Sequence, residues 1–204
     1  DNASVGKLVR FVYIGHKSLD WVYALFIFCL KNMKRREKMK IQKMVFSSLL
    51  VAIGTILGHL IYIPVGVAKC FPIQHTINVV SAVLLGPYYA VLNAFLISLL
   101  RNILGTGSIL AFPGSICGAI LASYLYKKFK SVSSAAIGEI VGTGIIGGLI
   151  AFPMAKLILG KEVGAFFFVV PFMLSTVGGS IVAVIILKSA FAYQTQKYNG
   201  RKSA

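Results

Sequence analysis

The chain has 204 residues, 57% of them hydrophobic and 13% charged, with a mean hydropathy of +0.84. Soluble globular domains carry about 25% charge, so this composition excludes an ordinary soluble domain and points to a polytopic membrane protein. Its 21 Lys and Arg against 5 Asp and Glu leave a net charge of +16, but the basic residues fall between hydrophobic runs, which is the pattern of membrane topology signals and argues against a nucleic-acid partner.

Residues 1–32 hold two apolar runs, 11–14 and 21–30, separated by Lys17 and Asp20, and neither approaches the roughly 20 residues that a span needs. Met33 and Met39 lie within the basic run Lys31, Lys34, Arg35, Arg36, Lys38, Lys40 and Lys43, directly before the first good hydrophobic segment. The reading is a basic N-terminal extension over 1–40, with the native start at Met33 or Met39. A six-helix transmembrane domain over 41–190 and a polar cytoplasmic tail over 191–204 follow.

The first span is expected in 44–68, which has no acidic or basic residue apart from His59; its first 20 or so residues can cross about 30 Å as a helix. Ser48 and Ala52 are four apart, as are Gly54 and Gly58, so small side chains recur at helical spacing and leave a groove for another helix, internal or from a separate subunit. Span two, 73–86, carries Gln74, His75 and Asn78 near its start, close enough on one helix to share a pocket. Span three is 88–104, ending with Arg101 and Asn102, and span four is 113–126, followed by Lys127, Lys128 and Lys130.

Where spans three and four meet, the stretch 101–118 reads RNILGTGSILAFPGSICG, four glycines and a proline in an oily chain. Backbone in hydrocarbon must satisfy its own hydrogen bonds, so this predicts helix, break, helix; such breaks are tolerated where they line a cavity. Asn102, Gly105, Thr106, Gly107 and Ser115 are therefore candidates for contacting a small polar ligand, a tight extramembrane turn being the alternative. Span five, 134–159, contains Glu139 and the close-packing pairs Gly138/Gly142 and Gly144/Gly148. Span six, 163–187, precedes a tail with Lys188, Lys197, Arg201 and Lys202.

Six spans put both termini on one side together with the basic runs at 31–43, 127–130 and 188–202, and the positive-inside rule makes that side the cytoplasm. The 61–72 connection and the 105–113 break then lie at the outer face, where a pocket would open outward. Glu139, about six residues into span five, is expected roughly 9 Å from the cytoplasmic side and separated in depth from His75 and Thr106. Partners from neighbouring helices are expected for it, because an unpaired carboxylate in hydrocarbon is costly. Arg101 reads as a side chain snorkelling to the outer interface.

Cys29, Cys70 and Cys117 are scattered, with no CxxC and no His at metal-ligand spacing, so neither a metal site nor a disulfide framework is read from them. Gly142, Gly144 and Gly147 match GxGxxG, but inside an apolar run rather than a strand–turn–helix, and read as packing glycines. No GxxxxGK[ST] occurs, and no cofactor is expected. One rival reading is a membrane enzyme using His75 and Glu139 as acid and base. Their separation in depth and the lack of a nucleophile or Gly-x-Ser-x-Gly weaken it. Another is a structural subunit whose glycines serve packing alone.

The ordered set Phe71-Pro72-Ile73-Gln74-His75 with Asn78, Arg101-Asn102-Ile103-Leu104-Gly105-Thr106-Gly107, Phe112-Pro113-Gly114-Ser115, and Gly138-Glu139 with Gly142-Thr143-Gly144 resembles the ThiW family over about residues 40–190. The resemblance implies an all-α, S-component-like bundle of six transmembrane helices in a prokaryotic cell membrane, a substrate-binding subunit rather than an enzyme. Such a subunit captures hydroxyethylthiazole, the thiazole precursor of thiamin, and docks on the membrane coupling subunit of an energy-coupling-factor transporter driven by two ATPase subunits. S components of this kind commonly present AxxxA to the coupling subunit; here the matching place reads Ser48-Leu49-Leu50-Val51-Ala52. On this reading Phe71 and Phe112 flank the ring, while Gln74, His75, Asn78, Asn102 and Thr106 bond its hydroxyl and nitrogen. Gly105 and Gly107 bring main-chain N–H groups close, with Ser115 and Glu139 completing the site. A phosphorylated substrate would need the cation of Arg101; a neutral one would not.

Overall fold

The computed structural model describes residues 39–65, 68–160 and 162–200. Of the N-terminal extension expected over 1–40, residues 1–38 lie outside the described residues, and with them a start at Met33. The chain divides into two compact units after Phe46; of the first, the opening turns of α1 are described, and the packing below is that of the second.

In chain order the described elements are α1 (Met39–Leu60), a hairpin of β1 (Ile63–Val65) and β2 (Ala68–Cys70), α2 (Pro72–Leu84), α3 (Pro87–Ile103), α4 (Ala111–Phe129) and α5 (Val132–Glu139). A π-helical segment (Ile140–Gly147), α6 (Gly148–Leu159) and α7 (Val169–Gly200) complete them. This is an all-α membrane protein. Among the described residues three helical stretches are long and apolar enough to cross a bilayer, Lys40–Leu60, Val132–Leu159 and Val169–Thr195. The helices standing where spans two, three and four were expected have 13, 17 and 19 residues. The 61–72 connection closes as an antiparallel hairpin, Ile63 opposite Cys70 and Val65 opposite Ala68. The last helix continues to Gly200, beyond residue 190 where the sequence reading ends the bundle.

The shortest of the three, α2, has the most buried surroundings. Every residue except Ile73 and Leu84 is buried, and the helix packs against α3, α4, α5 and α7. Pro72 starts it at a position where the missing N–H costs nothing. At 1.5 Å per residue it covers only about 20 Å of a roughly 30 Å hydrocarbon core, so its polar first turn begins inside the packed helices.

Close backbone approach holds the remaining helices together. A Cβ on Gly142 would lie 2.6 Å from Cys117 O, and one on Gly138 2.6 Å from Leu121 O, so the packing role expected for these glycines is what they have. No residue pattern announces the π-helical turn that holds Gly142, where Gly142, Thr143, Gly144 and Gly147 are all buried. On α1 the two small pairs separate: a Cβ on Gly54 would lie 2.6 Å from Ile97 Cδ1, so that pair faces inward, while Ser48 and Ala52 are exposed.

Candidate functional site

The break between α3 and α4 is folded onto the last turn of α3. Gly105 takes a φ of +68°, a conformation glycine adopts without strain. This turns the chain so that the N–H groups of Thr106 and Gly107 both donate to Arg101 O at 2.9 Å. Asn102 Nδ2 donates to Ser98 O at 2.8 Å and to Ser108 O at 3.0 Å, lashing both sides of the turn together.

Below the turn a polar chain crosses from α3 to α2 and α4. Arg101 Nη1 donates to Gln74 Oε1 at 2.5 Å, Gln74 Nε2 to Ser98 Oγ at 2.8 Å, and Ser98 Oγ meets Ser115 Oγ at 2.8 Å. Next to Gln74, His75 Nδ1 lies 2.9 Å from Glu139 Oε1, which also accepts from Asn78 Nδ2 at 2.9 Å and Thr143 Oγ1 at 3.0 Å. The other carboxylate oxygen has no partner among the described residues and faces Gly118. Because Nδ1 is tied to the carboxylate, Nε2 is the ring nitrogen His75 has left to offer.

Two adjoining hollows lie over these groups. The outer chamber, about 540 Å³, is walled by His59, Tyr62, Phe71, Arg101, the 105–108 turn, Phe167, Phe168 and Phe172. The inner one, about 50 Å³, is floored by Gln74, His75, Ser115, Thr143 and Ser175. They meet at Phe71, Arg101, Ala111, Pro171 and Phe172, which line both. The hairpin is fastened beside them: Phe71 N–H donates to Ser175 Oγ at 2.8 Å and Cys70 Sγ to Pro171 O at 3.2 Å, burial pushing the Cys70 thiol pKa up.

The family model described as thiamine-precursor transporter protein (ThiW) matches residues 44–192. The chain belongs to the ThiW family. No curated protein and no solved structure matches it. The match runs from α1 into α7 and takes in every residue of both chambers.

In this ThiW protein Phe71, Gly105, Thr106 and Gly107 line the outer chamber, and Phe71, Gln74, His75 and Ser115 the inner one. Asn78 and Glu139 stand behind His75 rather than on either lining, and Asn102 serves the turn. Phe112 stacks with Phe95 at 5.6 Å, away from both linings. The other aromatic lining comes instead from Phe168, just before α7, and Phe172 in its first turn.

Two expectations are corrected. His75 and Glu139, placed at different depths by counting residues, are in hydrogen-bond contact. The α2 helix is sunk: His75 lies roughly 14 Å along it from Leu84, while Glu139 lies roughly 10 Å along α5 from Val132, so the two arrive level. Arg101 does not snorkel to the interface. It is 1% exposed, with its guanidinium carbon 3.8 Å from the Phe71 ring centroid.

Sequence reasoning also passed over Ser98, Thr143, Ser175, Phe168 and Phe172. A signal existed for Ser98, three residues before Arg101 on the same helix face; none marked the α7 aromatics among so many apolar neighbours.

Proposed function

We propose that this ThiW protein is the substrate-binding S component of an energy-coupling-factor transporter, capturing the hydroxyethylthiazole unit of thiamin outside the cell and delivering it inward. The observation that carries this reading is the pair of adjoining chambers, with aromatic walls above and an amide, an imidazole and hydroxyls below. A flat five-membered ring with a short polar arm asks for an apolar slot and a few fixed hydrogen-bonding groups. Phe71, Phe168 and Phe172 form the slot; Gln74, His75 and Ser115 meet the polar atoms; Gly105, Thr106 and Gly107 form the rim. Asn78 and Glu139 hold His75, Asn102 holds the rim, and Phe112 braces the start of α4.

The charges support an outward mouth. The chambers lie where α3 ends and α4 begins, and Lys127, Lys128 and Lys130 lie at the other end of α4. By the positive-inside rule these lysines support a reading with the chambers opening outside, in a multi-pass protein of a prokaryotic membrane with both termini in the cytoplasm. Ser48 and Ala52 are exposed on α1, a surface suited to the coupling subunit, with two ATPase subunits supplying the energy.

Purified protein titrated with hydroxyethylthiazole, its phosphate, the pyrimidine precursor and thiamin tests the reading. Binding of a thiazole at micromolar concentration, without the pyrimidine, is expected. No binding of any thiazole compound at that level would sink it.

A further inference from the structure

The cavity holds a cation that no described side chain neutralises. Arg101 is 1% exposed and lines both chambers. Two of its five N–H groups go to neutral acceptors, Gln74 Oε1 at 2.5 Å and Thr106 O at 3.2 Å. Its Nε is buried without a partner among the described residues. The guanidinium carbon lies 3.8 Å from the centroid of the Phe71 ring, a cation–π contact that leaves its charge intact.

The acids among the described residues are Glu139 and Glu162. Glu139 pairs with His75, and Arg101 forms an ion pair with neither. The outer chamber adds a second basic side chain, His59, and the hydroxyls of Thr106 and Ser108, with no carboxylate on its lining. Room is kept for the guanidinium on the α1 side, where even a Cβ at Gly58 would lie 3.6 Å from Nε. A buried cation with neutral partners alone is costly, and a planar fork of N–H groups matches the two oxygens of a phosphate or carboxylate.

We infer that the substrate is an anionic thiazole, bearing a phosphate monoester or a carboxylate on its side arm, and that this oxyanion pairs with Arg101 in the outer chamber. The inference rests on the thiamine-precursor reading and narrows it. The ring lies between Phe71 and the α7 aromatics with its nitrogen toward His75, and the arm turns up toward Arg101 and the Thr106–Ser108 rim. A neutral alcohol in the same place would leave the guanidinium charge uncompensated.

Calorimetric titration of the full chain in neutral detergent, with hydroxyethylthiazole, its phosphate monoester and the matching thiazole acetate, tests this. One of the two anions is expected to bind about tenfold or more tightly than the alcohol. In Arg101→Gln the ratio of anion to alcohol affinity should collapse to about one, with Arg101→Lys in between. An alcohol that binds wild-type protein as tightly as both anions overturns the inference and leaves the thiazole reading standing, whatever becomes of the variants. Failure of all three ligands overturns both. A preference that survives in Arg101→Gln moves the anion site elsewhere and overturns the role of Arg101. Phosphatidylglycerol added to the detergent should not compete with the anion; competition would assign Arg101 to a lipid headgroup and likewise overturn the proposal.

Discussion

Three donors converge on one oxygen of Glu139, but they do not depend on it equally. Thr143 Oγ1 also reaches Gly114 O at 3.0 Å, and Asn78 Nδ2 reaches Ser115 O at 3.3 Å. For His75 the carboxylate is the one partner found among the described residues. Glu139→Leu should therefore act chiefly through His75, lowering stability by about 1–3 kcal/mol for the donor left unmet, and weakening ligand binding as the imidazole loses its orientation. Glu139→Gln keeps a carbonyl oxygen in place and should lose less on both counts. Thermal melting in detergent beside a thiazole titration reads the two effects, and a Leu variant that melts and binds like wild type would refute the positioning role. His75→Ala, removing the imidazole that faces the inner chamber, is expected to weaken binding by a similar 1–3 kcal/mol without needing Glu139 to move.

At the scale of elements, the depth of α2 decides the site. A longer helix would start at the membrane surface and lift Gln74 and His75 away from Glu139; thirteen residues keep them level with it. Hydrophobic runs, Pro72, Pro87 and the glycine-rich break made the helices and the interruption legible in the sequence, because each acts locally on the backbone. Depth was not legible, since counting residues from a charged end assumes every helix starts at the membrane surface. The burial of Arg101 depends on Gln74 of α2 and on Phe71 just before that helix, and nothing local in 101–107 announces that.

The π-helical turn shows the same limit. Its glycines read as packing residues, but the wider turn that brings Thr143 to both Glu139 and Gly114 O follows from contact with α4. Gly142→Ala should destabilise by about 1–3 kcal/mol, because its methyl would meet the carbonyl of Cys117, part of a backbone that cannot swing aside. Gly164→Ala, with nothing within 4 Å, should stay within about 0.5 kcal/mol of wild type. Equal melting of the two variants would contradict this packing.

For the whole molecule, the question is how a bundle so tied together internally could still offer a face to a partner, and α1 supplies an answer. Its inner side is committed: Ser47 donates to Asn93, which donates on to Ser81 Oγ at 3.0 Å, and Gly54 lies against Ile77 and Ile97. Its outer side runs Ser48, Ala52 and Ile56, with Ile56 60% exposed, a narrow strip of small residues next to apolar ones on which a second helix could close. If this strip docks on the coupling subunit, Ala52→Leu should reduce thiazole uptake by roughly tenfold, the equivalent of losing about 1.4 kcal/mol of helix association. The titrated affinity should stay within about twofold, since no inward-facing residue is touched. Gly54→Leu is the opposite case: its side chain enters the space of Ile97, so binding and melting temperature should fall together with uptake. An Ala52→Leu transporter with full uptake would clear α1 of any docking role, whereas one that loses uptake and binding together would show that the strip supports the fold.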